Sequence, residues 1–272
     1  MSKKIIKDYK AEVKHLKDWI VSYFCRNGNA DTKAVIGISG GKDSTVVAYL
    51  CAAALGPDRV VGIKMPNGEQ HDIDCADTVI KNLGIMDYQI NIRSMCDAFY
   101  NEIYTVLDKD GELSAPQIRL IECNLPPRMR MSVLYAIAGA IGGFVANTSN
   151  LSERYIGWST KWGDGAGDFA PLADYTVEEV LAIGKELGIP DELLYKTPED
   201  GLTGKSDEEA IGVEYALIDQ YIRGEKPDNY KACRIIHERN EANLHKMAAQ
   251  NIPHPRANLS YEDNADMDDF MF

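Results

Sequence analysis

The stretch KAVIGISGGKDSTVVAYL, residues 33–50, constrains the fold of this chain more than any other. Its first residues are a short apolar, β-branched run that reads as a buried strand. From Asp43 to Leu55 the pattern becomes that of an amphipathic helix. Between them, Gly37, Ile38, Ser39, Gly40, Gly41, Lys42, Asp43 and Ser44 make a turn rich enough in glycine for backbone N–H groups to crowd around an anion at the positive end of the helix. The turn is not a Walker loop, because only three residues separate Gly37 from Gly41 and Asp43 follows Lys42 where Ser or Thr is needed. The spacing of a dinucleotide-binding G-x-G-x-x-G turn is also absent. Asp43 would repel a phosphate unless a divalent cation lay between them, and Mg²⁺ is typically held by one or two carboxylates plus phosphate oxygens. A cap on the helix is the simpler role for Asp43, but capping does not account for Ser39, Gly40, Gly41 and Ser44 together.

Strand-like and helix-like runs alternate through the first half. AVIGI (34–38), RVVGIKM (59–65), YQINI (88–92) and GFVANT read as strands. Helical runs separate them at 43–55, 72–84 and near 94–107, and NLPPRMRMSVLYAIAGAIG reads as a helix entered through Pro126 and Pro127. Such alternation predicts a parallel sheet with helices on both faces and a ligand crevice beyond the carboxyl ends of the strands. The N-terminal segment, with Ile5, Tyr9, Val13, Leu16 and Ile20 at helical spacing, reads as an amphipathic helix.

The second half is different. Residues 155–174 form a long Gly-rich segment, and residues 196–205 a second Gly/Pro loop; loops of this length are more often lids or binding loops than connectors. Thr176 with Glu179, and Ser206 with Glu209, are capping-box patterns that each open a helix. We expect one domain over 1–259 with a helical C-terminal extension, and an acidic, mobile tail over 260–272.

A net charge of −13 argues against nucleic acid as the main partner, which requires a basic footprint. The six cysteines show neither C-x-x-C pairs nor metal-ligand spacing and read as small buried hydrophobes in a reducing compartment. The longest nearly uncharged run, SVLYAIAGAIGGFVANTSNL, is broken by Gly and polar residues, so no membrane span is expected. These features predict a cytoplasmic protein.

The S-G-G-x-D-S turn after a first strand resembles the pyrophosphate-binding loop of the ATP pyrophosphatases. NLPPRMRM (124–131), NTSNLSE (147–153), STKWGDGAGDFAPL (159–172), KELGIP (185–190) and KSDEEAIGVEY (205–215) follow in that order. Together they resemble the synthetase domain of the NAD synthetase family, from the N-terminal helix to about Pro253. The resemblance implies a doubly wound, mainly parallel α/β fold of the adenine nucleotide α-hydrolase-like kind. It implies an ammonia-dependent ligase that adenylates deamido-NAD with ATP, releases pyrophosphate, and amidates the adenylate to give NAD and AMP. It places Asp43 and Glu153 on Mg²⁺, and Thr148 and Glu199 beside residues 37–44 at ATP. Arg128, Lys161, Asp168, His245 and Lys246 fall to deamido-NAD, with Asp43, Lys161 and Asp168 closest to the chemistry. Family likeness also implies a homodimer formed through the helix that contains Met129–Ile141. Asn147 departs from the commonest family pattern, which has Gly there, and Val177 and Glu199 depart from a common Lys and Ser/Thr.

Each assignment has a plainer alternative: Arg128 on a solvated helix face, Lys161 and Asp168 as ordinary loop residues, His245 as a surface histidine. Two rival functions also fit the sequence. One is another ATP pyrophosphatase, tRNA-modifying or GMP synthetase-like, although the thiolases among them carry C-x-x-C pairs. The other is a nucleotide-binding regulator without turnover, which would need no second carboxylate at Glu153.

Overall fold

The computed structural model describes residues 4–69, 73–109, 111–195, 207–225, 227–249 and 252–261. In chain order the elements are β1 (Lys4–Ile6), α1 (Tyr9–Asn27), β2 (Lys33–Gly37), α2 (Lys42–Leu55), β3 (Val60–Lys64), α3 (Ile73–Leu83), β4 (Met86–Gln89), α4 (Arg93–Leu107), α5 (Ala115–Ile141), β5 (Gly143–Val145) and α6 (Leu151–Ile156). There follow α7 (Val177–Glu186), α8 (Asp191–Leu194), α9 (Asp207–Ile211), α10 (Tyr215–Ile222), α11 (Tyr230–Ala249) and β6 (Leu259–Tyr261).

The expected sheet is present. Its order is β4-β3-β2-β5, and every pairing is parallel, with Val35 opposite Val61 on one side and Val145 on the other. Alternation along β2 divides the core. Ala34 and Ile36 join a cluster with Leu16, Ile20 and Phe24 of α1 and with Val46, Val47 and Leu50 of α2. Val35 joins Val61, Ile63 and Val145 in a second cluster with Leu125, Val133 and Ala138 of α5. Successive strand side chains point to opposite faces, so a sheet covered on both sides must be apolar at every position. The apolar runs of β2 and β3 meet that requirement.

Four expectations need correction. Helix α1 starts at Tyr9, where Asp8 caps it by accepting from the Ala11 N–H at 3.0 Å; Ile5 instead lies in β1. Strand β1 pairs antiparallel with β6, so Ser260 and Tyr261 belong to the folded body. Helix α5 does not begin at the prolines. It begins at Ala115 behind a capping box of Ser114 and Gln117 and carries Pro126 and Pro127 in its interior. Proline lacks the N–H that would bond the carbonyl four residues back. Here the Tyr100 hydroxyl of α4 donates to the orphaned Glu122 carbonyl at 3.1 Å, which lets the helix continue. Strand β4 is also displaced, ending at Gln89 rather than running to Ile92.

The capping box of Thr176 and Glu179 opens α7 as expected. Ser206, the 196–205 loop and the tail beyond Tyr261 lie outside the described residues. Among the described residues, no helix is long and apolar enough to cross a membrane.

Candidate active site

All strands of the main sheet end on one side, and the turn after β2 sits at that edge. Gly40 has φ +82°, a left-handed conformation that glycine adopts without steric penalty. The Ser39 and Ser44 hydroxyls lie 3.0 Å apart, and the Gly41 N–H donates to Ser39 Oγ at 3.2 Å. Gly41 is the N-cap residue of α2 and supplies no side-chain cap, so the positive end of a 14-residue helix faces this turn. Ser44 and Thr45 hydroxyls both donate to the Gly41 carbonyl, which fixes the entry to the helix.

Asp43 lies in the first turn of α2 with both carboxylate oxygens engaged. Lys42 Nζ donates to Oδ2 at 2.9 Å and Asn150 Nδ2 to Oδ1 at 3.0 Å. Asn150 is also the N-cap of α6: its Oδ1 accepts from the Glu153 N–H at 3.0 Å, and Glu153 Oε2 accepts from the Asn150 N–H. The α6 capping box therefore brings Glu153 to the same cleft as Asp43. That cleft has a volume of about 200 Å³ and is lined by Ser39, Gly41, Asp43, Ser44, Thr148, Ser149, Glu153 and Asp164. It is smaller than a pocket for a drug-sized ligand and of a size for phosphate groups.

Burial and the like charge of Asp43 push the Glu153 carboxyl well up, to about 8, against the pull of Lys42 and the Asn150 N–H. Burial acts to lower the Lys42 ammonium, but the carboxylates of Asp43, Glu153 and Asp207 outweigh it and hold the proton on. Two carboxylates forced together, next to a helix N-terminus that attracts phosphate, suit a divalent cation bound jointly by protein and ligand. Among the described residues no cluster of three or more His, Cys, Asp or Glu could hold a metal by itself.

The second wall comes from the Gly-rich loop after α6. The Thr160 N–H donates to Asp164 Oδ1 at 2.8 Å, and Thr160 Oγ1 donates to Asn124 of α5 at 2.9 Å. Arg128, exposed on α5, reaches the Lys161 carbonyl with Nε at 3.4 Å. Lys161 Nζ lies 5.8 Å from the Trp162 ring centroid, and Trp162 is the one non-glycine residue with positive φ, +60°, among the described residues. Asp168 is tied inward: Oδ2 accepts from the Val145 N–H at 2.7 Å, and its carbonyl accepts from the Tyr23 hydroxyl at 2.8 Å.

The fold thus brings residues 39–44, Thr148 and Glu153 around one cleft. Lys161 and Asp168 lie along the adjoining loop, which Arg128 reaches from α5. His245 is exposed on α11, and Lys246 on the same helix donates to the carbonyls of Gly157 and Ser159, both at 2.7 Å. Glu199 lies outside the described residues.

Sequence reading missed Asn150, Ser149 and Asp164 as members of the site. Asn150 had a local signal, since Asn followed three residues later by Glu is an N-terminal helix signature. Tyr215 was missed as well. Its ring faces Lys42 Nζ at 5.7 Å, and its buried hydroxyl has no hydrogen-bond partner among the described residues.

Residues 12–258 match the protein family described as NAD synthase. The NH(3)-dependent NAD(+) synthetase of Pyrococcus horikoshii is 40% identical over 204 residues, 75% of each chain. Among solved structures, NMN synthetase from Francisella tularensis is 32% identical with a TM-score of 0.78, covering 88% of this chain and 95% of that one. NAD+ synthetase from Burkholderia pseudomallei is 27% identical with a TM-score of 0.72, covering 89% and 90%.

Proposed function

The chain belongs to the NAD synthase family, and from that premise we propose how its cleft makes an amide. The protein is an ammonia-dependent NAD synthetase, a ligase that uses ATP. A carboxylate oxygen of the nicotinate group of deamido-NAD attacks the α-phosphorus of ATP, and the bond to pyrophosphate breaks. Ammonia then attacks the acyl carbon, AMP departs with that oxygen, and loss of a proton leaves the amide of NAD.

The observation that carries this reading is the meeting of the uncapped α2 N-terminus with the Asp43 and Glu153 carboxyls in one cleft. Residues 37–44 and Thr148 would cradle the phosphates of ATP, and Glu199 is assigned to the same nucleotide. Asp43 and Glu153 would hold Mg²⁺, which supplies countercharge to departing pyrophosphate. Lys42 is then free to leave Asp43 for a phosphate oxygen. Arg128, Lys161, Asp168, His245 and Lys246 are assigned to deamido-NAD, with Lys161 favouring the negative charge that develops at the reacting carboxyl.

We further read the protein as cytoplasmic and as a homodimer. Support for the dimer comes from α5, where Met129–Ile141 includes only Val133 and Ala138 as fully buried residues and leaves Ala136, Gly139 and Ala140 exposed. A long apolar helix with so small a buried face has area left for a partner.

A second substrate is favoured by the likeness to the Francisella tularensis NMN synthetase, whose name implies a mononucleotide product. The cleft chemistry would be identical, because the adenosine half of the dinucleotide takes no part in bond making. Incubation with ATP, Mg²⁺ and ammonium, with either deamido-NAD or nicotinate mononucleotide, tests both readings. AMP and pyrophosphate should form only when a pyridine carboxylate is present, and faster with the dinucleotide. Release of ADP and phosphate would overturn the reaction; faster turnover of the mononucleotide would replace the substrate.

A further inference from the structure

Asn147 is 1% exposed and uses each of its polar side-chain atoms within the protein. Nδ2 donates to the carbonyls of Asp164 at 2.9 Å and Ala166 at 3.1 Å, and Oδ1 accepts from the Ser149 N–H at 3.1 Å. Two carbonyls on one side and an N–H on the other fix the orientation of the amide. Its backbone continues the pattern. The Asn147 N–H donates to the Phe169 carbonyl and the Asp168 N–H to the Val145 carbonyl, both at 2.8 Å, with Ala146 and Phe169 forming a parallel bridge. The Gly-rich loop is thereby laid as an extra strand beside the end of β5. The approach is close at Gly167, where an added Cβ would stand 2.7 Å from both the Cβ and the N of Asn147.

This one side chain joins the two walls of the cleft. Ser149 lies on the wall that also carries Thr148 and Glu153, and Asp164 on the loop that carries Lys161 and Asp168. No other residue type supplies the same bonds in the same space. Asp would set a carboxylate against two carbonyl oxygens, Ser has a single donor, and Gln is a methylene longer where Gly167 already touches. Asp164 is exposed and Ala166 half-buried, so water can take the two carbonyls once the amide is removed. The loop then loses its fixed position while the sheet keeps its core.

We propose that Asn147 is a positioning residue that sets the binding of the pyridine carboxylate by holding the Lys161–Asp168 loop, with a smaller effect on the ATP side, which it touches through the Ser149 N–H alone. The assignment of that loop to the pyridine substrate rests on the function proposed above.

The test is Asn147→Ala, with Asn147→Ser as the variant that keeps one donor and secures the fold. Steady-state kinetics should show KM for deamido-NAD raised about tenfold in N147A and less in N147S, the scale of the two hydrogen bonds lost to the loop. KM for ATP should stay within about twofold of wild type. Hydrogen exchange, read on the same proteins, should speed up at residues 164–169 and not in β2 or β3. If KM for ATP rises in step with that for deamido-NAD, or neither changes, the assignment is overturned. Wild-type protein that makes no amide would instead refute the proposed function. Exchange at 164–169 would still decide whether Asn147 holds the loop, unchanged protection in N147S counting against it.

Discussion

Asn150 Nδ2 donates to Asp43 Oδ1 at 3.0 Å across 107 residues of sequence, while the same side chain caps the helix that carries Glu153. One buried amide therefore sets the orientation of both carboxyls in the cleft. Serine caps helices as well as asparagine does but is too short to reach Asp43. Asn150→Ser should keep the α6 cap, cost about 1.5–3 kcal/mol of stability for the lost bond to Asp43, and lower kcat/KM at least about tenfold. Chemical denaturation and kinetics measured side by side check this. Full turnover in N150S would mean that Asp43 needs no orienting partner.

The raised Glu153 carboxyl gives the ligand-free protein a pH signature. Below the ordinary carboxylate range, folded and unfolded chains both carry the proton. Between that range and about 8 the unfolded chain has lost it and the folded chain has kept it. Rising pH therefore favours the unfolded chain across that window, and the slope vanishes above it. Glu153→Gln removes this contribution, so the variant should gain stability over wild type as pH rises and match it in acid. Thermal midpoints across pH read the difference. A constant offset between the two proteins would show that Glu153 titrates normally.

Lys246 ties α11 to the loop after α6 through the Gly157 and Ser159 carbonyls. Charge-assisted bonds of this kind contribute about 1.5–3 kcal/mol. Lys246→Met should lose stability on that scale in denaturant titrations, with Lys246→Arg recovering part of it. Unaltered stability combined with a large rise in KM for deamido-NAD would make Lys246 a substrate contact alone.

The exposed small residues of α5 give a direct test of the dimer. A glutamate at Ala140 would bring a pair of like charges to a self-complementary interface. Light scattering at micromolar concentration should report a dimer for wild type and a monomer for Ala140→Glu. A wild-type monomer would remove the dimer from the account.

Much of the sheet was legible because the determinants were local. The glycines and serines of 37–44 define a strand-to-helix turn, and Thr176 with Glu179 defines a helix start, without reference to the rest of the chain. The true start of α5 was not legible. Pro126 and Pro127 resemble a helix entry until Tyr100, on a different helix, satisfies the carbonyl that Pro126 orphans. The β1–β6 pair was hidden for a related reason, since two three-residue strands at opposite ends of the chain carry no local pattern. In the cleft, Asp43 and Glu153 were readable as a pair of carboxylates, and the fold brings them together. The amides of Asn147 and Asn150 were not, because their partners lie on loops that only the fold brings near.

The central claim is that the pyridine carboxylate is adenylated before it is amidated. Deamido-NAD labelled with oxygen-18 in both carboxylate oxygens tests this most directly. If the carboxylate attacks the α-phosphorus and ammonia then displaces AMP, each AMP released must carry one labelled oxygen, and the NAD amide retains the other. Mass spectrometry of AMP, pyrophosphate and NAD after turnover reads the distribution. Label in AMP and none in pyrophosphate is the result predicted. Unlabelled AMP, or label recovered in inorganic phosphate alongside ADP, would contradict the account.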